Sequence, residues 1–164
     1  MTKEEKIMFK NLKKNKKGFS LVELIVVIAI MAVLVGVLAP TLLTNIEKSR
    51  ESKDIQVLDS VASAVQMALA DEKAEAKKPA GKVTLSSVLD AQNPDAFQAA
   101  VKENLGGKSS SDIKLSSASA TASGNDIYIS VDGTGTVTVE VLASATATTP
   151  VQAAKSKNDL KVVR

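Results

Sequence analysis

Residues 19–43 form an almost unbroken apolar run of 25 positions with one charge, Glu23. As a helix at about 1.5 Å per residue this run is roughly 37 Å long. That exceeds the roughly 30 Å hydrocarbon core of a bilayer, so the segment can span a membrane with some tilt. Lys13, Lys14, Lys16 and Lys17 stand directly before it. The positive-inside rule keeps the N-terminus cytoplasmic and sends residues 44–164 to the other side. The chain must therefore divide into a membrane helix and one modest globular domain.

The net charge of +3 is unevenly distributed. Residues 1–18 carry seven Lys against Glu4 and Glu5, and the remainder has 14 basic against 16 acidic residues. The basic character belongs to the leader, so it does not argue for nucleic-acid binding by the body. Residues Lys155 to Arg164 are a basic exception. Cys and His are both absent, which excludes disulfides, the usual zinc sites and nucleophiles activated by His. The aromatics are Phe9, Phe19, Phe97 and Tyr128 alone, so a core must be built from Val, Leu, Ile and Ala. No cofactor is implied, and no carboxylate pair stands out at acid–base spacing, so the chain does not read as an enzyme. Calcium at Asp132-Gly133 would have too few oxygens.

Five segments follow from composition: a leader over 1–18, a membrane helix over 19–43, an amphipathic continuation over 44–78, a head over 79–149 and a flexible tail over 150–164. In the third, Ile55, Leu58, Val61, Val65 and Leu69 recur at spacings of three and four, widened by Ala62 and Ala68. Glu47, Lys48, Arg50, Glu51, Lys53 and Asp54 fall on the other faces and read as solvated. Without a breaker between Pro40 and Pro79, one helix is predicted from Ser20 to Lys78. Short helices are expected over Leu85–Ala91 and after an Asn93 cap, with Pro94 in the first turn and Gly106-Gly107 as the stop. Ile127, Ile129 and Val131 alternate with polar neighbours, as do Val137, Val139 and Val141, and Asp132-Gly133-Thr134-Gly135 supplies the hairpin turn. With Ile113 and Leu115 as a third strand, the expected fold is α+β: a long helix whose apolar stripe is covered by a small antiparallel sheet. Ser116–Gly124 and Ser144–Thr149 are low-complexity Ser/Thr/Ala stretches that read as loops.

Four features at the N-terminal end bear on function. The apolar run is too long for an ordinary secretory signal, and its best small-residue cleavage site, Val37-Leu38-Ala39, is blocked by Pro40. Gly18 between Lys17 and Phe19 is either mere punctuation before the helix or the extended, accessible bond on the cytoplasmic side that a peptidase needs. Glu23 either snorkels to the headgroups or awaits a cationic partner on assembly; membrane physics leaves both open. Pro40 removes a helical hydrogen bond at the carbonyl of Gly36, which makes either a common kink or a segment able to loosen.

Lys17-Gly18-Phe19-Ser20-Leu21-Val22-Glu23-Leu24, with the run that follows, closely resembles the cleavage and methylation motif of type IV prepilins and pseudopilins. The resemblance is tight over about residues 13–45 and loose to Lys78. It implies a pilin-like fold and a cut between Gly18 and Phe19 by a membrane prepilin peptidase, with N-methylation of Phe19. It also implies that Glu23 neutralises the amine of a neighbouring subunit's Phe19, and that the helix loosens around Gly36 and Pro40. The implied partners are other pilin subunits, the peptidase, an assembly platform driven by an ATPase, and membrane lipid before assembly. The implied product is an extracellular pilus for motility, adhesion or related roles. The Lys-rich leader and lack of Cys look more like pilins of Gram-positive bacteria. A pseudopilin of a secretion-like or competence DNA-uptake system is the alternative, with DNA as a partner only through the basic tail. A membrane-anchored monomeric binding domain is a third reading.

Overall fold

The computed structural model describes residues 18–156 and 158–164. The leader residues 1–17, including the Lys cluster, lie outside the described residues. The chain divides into two compact units, residues 1–42 and 43–164. Helix α1 runs from Leu21 to Leu69 and belongs to both.

In the first unit the helix is apolar on every side, and its large side chains from Leu21 to Leu38 are exposed. This helix is long and apolar enough to cross a membrane. It continues through Pro40 without a break.

In the second unit the helix has one greasy stripe. Leu58, Val61, Ala62, Val65 and Ala68 are buried, with Ile55 and Leu69 half-buried beside them. The predicted single helix to Lys78 ends early, at Leu69. Asp71 adopts extended backbone, and its side chain accepts the N–H of Lys73, which caps a separate short helix, α2, Glu72–Glu75. A side chain that bonds nearby backbone competes with helix continuation, and here it wins.

Four antiparallel strands follow in the order β1-β2-β3-β4: Val83–Thr84, Asp126–Val131, Val137–Leu142 and Lys161–Val163. The expected hairpin is β2–β3, with Ile129 opposite Val139 and Val131 opposite Val137. Its turn is closed by Asp132, whose Oδ1 accepts from Thr134 N at 2.9 Å and Thr136 N at 2.8 Å, while Gly135 takes φ +87°. The Thr134 hydroxyl and these N–H groups hold the Asp132 carboxyl below the usual range. Alternate residues Ile127, Ile129, Val137, Val139 and Val141 are buried and join the α1 stripe in one apolar cluster.

Two strand expectations need correction. Ile113 and Leu115 do not form a strand; they lie half-buried against the core in irregular backbone. The added strands are β1 and β4. Residues 150–164 are therefore no flexible tail: Val163, Val162 and Lys161 pair with Thr138, Val139 and Glu140. A three-residue strand carries too little alternation to be read locally, and its pairing is decided by β3.

Between β1 and β2 lie α3, Leu85–Leu89, and α4, Ala96–Asn104. The α4 cap is Asp95 rather than Asn93. Its carboxylate accepts Gln98 N at 2.8 Å, and Gln98 Oε1 accepts Asp95 N at 3.1 Å, a reciprocal capping box. Phe97 and Val101 are buried. Gly106 and Gly107 stop the helix with φ +72° and +74°, returning N–H bonds to Glu103 and Lys102. Those paired bonds are the Schellman arrangement that glycine permits.

The helix carboxylates overturn a further expectation. Glu51 and Asp54 are not solvated; they retain 2% and 0% of their exposure. Glu51 accepts the N–H groups of Lys155 and Ser156, both at 2.8 Å. Asp54 accepts those of Ser116 at 2.7 Å and Ser117 at 2.9 Å. Glu47 takes Ala118 N at 2.5 Å, and Asp59 holds Arg164 through two bonds at 2.8 and 2.7 Å. A carboxylate receiving backbone N–H groups satisfies a loop that no strand could satisfy. One helix edge thus fastens two segments far along the chain. On the outer side of the sheet, buried Glu140 pairs with Lys82 at 2.8 Å and lies 3.9 Å from Lys161.

Candidate functional site at the helix start

Gly18, Phe19 and Ser20 precede α1 in non-helical backbone, and all three are exposed. An added Cβ at Gly18 would meet nothing within 4 Å, and Phe19 is 90% exposed. The Gly18–Phe19 peptide bond therefore lies in exposed, non-helical backbone.

Ser20 occupies the cap position. Its carbonyl accepts Leu24 N at 3.2 Å, the first helical bond, and its hydroxyl accepts Val22 N at 3.3 Å. Glu23 reaches back, with Oε2 accepting Ser20 N at 2.8 Å. Ser20 and Glu23 thus form the return half of a capping box, at the helix end where the dipole favours negative charge. This role was missed in the sequence, although Ser-x-x-Glu before an apolar run is its signature. Glu23 closes the first turn of its own helix.

Gly18 and Phe19 lie just before the turn that Glu23 closes, and Gly36 and Pro40 lie well beyond it. These lie 13 and 17 residues beyond Glu23, roughly 20 and 25 Å along an α-helix. Both sit in continuous helix, and nothing lies within 4 Å of a Cβ at Gly36. In the second unit, two of the basic C-terminal residues have acidic partners. Arg164 is engaged by Asp59, and Lys161 lies within ion-pair distance of Glu140.

An exposed Gly18–Phe19 step, a carboxylate at the third helical position and a helix long and apolar enough to cross a membrane therefore meet at this end of the chain. Residues 13–39 match the family model described as the prokaryotic N-terminal methylation motif, the hallmark of type IV prepilin-like proteins. The matched stretch includes Gly18, Phe19, Glu23 and Gly36 and stops one residue before Pro40. No curated protein and no solved structure matches the chain.

Proposed function

We propose that the chain is a structural subunit of a type IV pilus, cut between Gly18 and Phe19 by a prepilin peptidase and N-methylated on Phe19. The observation that carries this reading is the methylation motif over residues 13–39 on an exposed apolar helix. In this reading the N-terminus is cytoplasmic and the head faces outward before assembly. An ATPase-driven platform then moves the subunit into an extracellular filament. The apolar helix exchanges lipid for the helices of other copies, and the head remains in water.

Glu23 has two successive roles. Before cleavage it caps Ser20. Cleavage creates a cationic amine on Phe19, one residue before the N–H that Glu23 already accepts. In the filament Glu23 neutralises the Phe19 amine of a neighbouring subunit, a pairing whose strength rises as water is excluded. Gly36 and Pro40 are the positions at which the helix loosens when it leaves lipid. No catalytic step is assigned to the chain itself.

Mass spectrometry of purified surface filaments tests the proposal. N-methyl-Phe19 as the first residue of the filament subunit is the expected result. Filaments lacking this chain, or containing it with residues 1–18 attached, would refute it.

A further inference from the structure

The end of α4 and the loop after it leave a cavity of about 340 Å³ against α1. Lys53, Val57 and Val61 are four residues apart along α1 and so share one strip of the helix. Gly106 and Gly107, in left-handed backbone, turn the chain back, and Lys108 to Lys114 supply the other wall.

These walls are pinned. Asn104 Nδ2 donates to Ala64 O at 3.1 Å and ties the end of α4 to α1. Asp90 accepts Ser110 N at 3.1 Å together with the Ser110 hydroxyl, which fixes the loop. Asp54 holds Ser116 just beyond it. A cavity whose walls are already fixed asks little further ordering of a ligand.

The lining has two kinds of chemistry. Val57, Leu105 and Ile113 are half-buried and present apolar surface. Lys53, Lys108 and Lys114 are exposed, and none has a carboxylate oxygen within 4 Å among the described residues. Asp112 is the acidic residue of the lining. Its Oδ2 accepts the Ser109 hydroxyl at 2.7 Å and Ser109 N at 3.0 Å, and these bonds hold its carboxyl below the usual range. Asp112 therefore stays charged, and three cations against one anion leave two positive charges in excess. A concave surface of one sign concentrates counter-ions more than a flat one does.

We infer that this cavity binds a small organic dianion: a phosphate monoester or dicarboxylate on an apolar body of about one ring. The charged end lies among the three lysines and the body against Val57, Leu105 and Ile113. A bare ion would leave the apolar surface in water, and a neutral ring would leave the lysines unpaired. The volume falls at the lower end of the roughly 300–1,000 Å³ found for ligand sites, which suits a ligand of that size. The inference concerns the head alone and stands apart from filament assembly.

Titration of ¹⁵N-labelled head with phenyl phosphate at pH 7.5 tests it. The head here is residues 43–164, whose core lies wholly within that range. The expected result is a set of amide shifts confined to residues 53–61 and 104–114, with a Kd of about 1 mM or tighter. Inorganic phosphate and phenol, each carrying half of the chemistry, should bind about tenfold more weakly or worse. K53Q/K108Q/K114Q should weaken phenyl phosphate by a similar factor. Ser60→Phe, which fills the cavity and keeps the lysines, should do the same, with the remaining amide spectrum of both variants unchanged. Shifts that map elsewhere, inorganic phosphate binding as tightly as phenyl phosphate, or unaltered affinity in both variants overturns the inference.

Discussion

Asp54 on α1 accepts the backbone N–H of Ser117 at 2.9 Å across 63 positions of sequence, and neither residue has any exposed surface. The same carboxylate takes the N–H of Ser116 on its other oxygen. An ordinary amphipathic helix would leave such a residue in water. Here the charge is exchanged for the N–H groups of a loop that has no strand partner.

Asp54→Ala strands two backbone donors and the Ser116 hydroxyl, and the Ser117 N–H among them is fully buried. It is expected to destabilise the head by about 3 kcal/mol, since bonds to charged groups are the strong ones and unmade buried ones are costly. Asp54→Asn keeps one acceptor and turns an amide N–H toward the other donor, so its loss should be about half as large. Urea midpoints of residues 43–164, a unit with its own core, read both.

Glu51 gives the head an acid sensitivity. Burial pushes its carboxyl up, but the N–H groups of Lys155 and Ser156, the Ser156 side chain and the Lys155 charge outweigh this and leave it lowered. A group lowered in the folded state adds stability above its unfolded value, about 4.3 for Glu. That contribution disappears as pH falls through the folded value. Stability should drop on acidification below about pH 4, with Asp90, Asp112 and Asp132 shifted in the same direction. Glu51→Gln should flatten the slope of urea midpoint against pH and lower stability at neutral pH.

The Asp59–Arg164 pair is well aligned but about 40% exposed on each side. Its coupling in a double-mutant cycle with alanine should be about 0.5 kcal/mol. A coupling several times larger would mean that the side-chain pair, rather than the backbone bonds between Arg164 and Val137, holds this strand.

Gly36 and Gly106 should respond oppositely to alanine. Gly106 has φ +72°, so Gly106→Ala should cost the head about 1 kcal/mol. Gly36 is helical with open space at its Cβ, so Gly36→Ala should favour the helix by about 0.5–1 kcal/mol. If the proposed loosening matters, that gain appears as fewer filaments at an unchanged level of processed subunit. Normal filament yield from Gly36→Ala/Pro40→Ala would remove these residues from assembly.

Glu23→Gln separates the cap from the assembly contact. Its amide oxygen can still accept Ser20 N, so insertion and cleavage should proceed normally. It carries no charge for an amine, so filament yield should collapse. Immunoblots of membrane and sheared-filament fractions distinguish the outcomes, and full filament yield would leave Glu23 with its capping role alone.

The hairpin, the apolar stripe and the Gly106-Gly107 stop were legible in the sequence because each is a local pattern: period two, period three to four, and left-handed backbone at glycine. The methylation motif around Gly18 and Phe19 was legible through its flanks. What stayed hidden depends on distance. Nothing near Glu51 or Asp54 says that N–H groups 62 to 105 positions later will bury them, so a charged helix face was read as solvated. The three residues of β4 carry no period of their own. The Ser20–Glu23 cap is different: its signature was present, and the membrane cost of Glu23 drew attention away from the first turn.

The carboxylate row on α1 also sets an order of events. The helix can form as soon as its own residues are available, because its bonds are local. Glu51 and Asp59 must then wait for partners 104 to 105 residues further on, and closing so long a loop is slow compared with winding a helix. Until residues 155–164 arrive, the stripe around Leu58 and Val61 lacks part of its cover. The head therefore closes like a clasp, late and from its far end, and the interval before closure is when it is most open to proteolysis and misassembly.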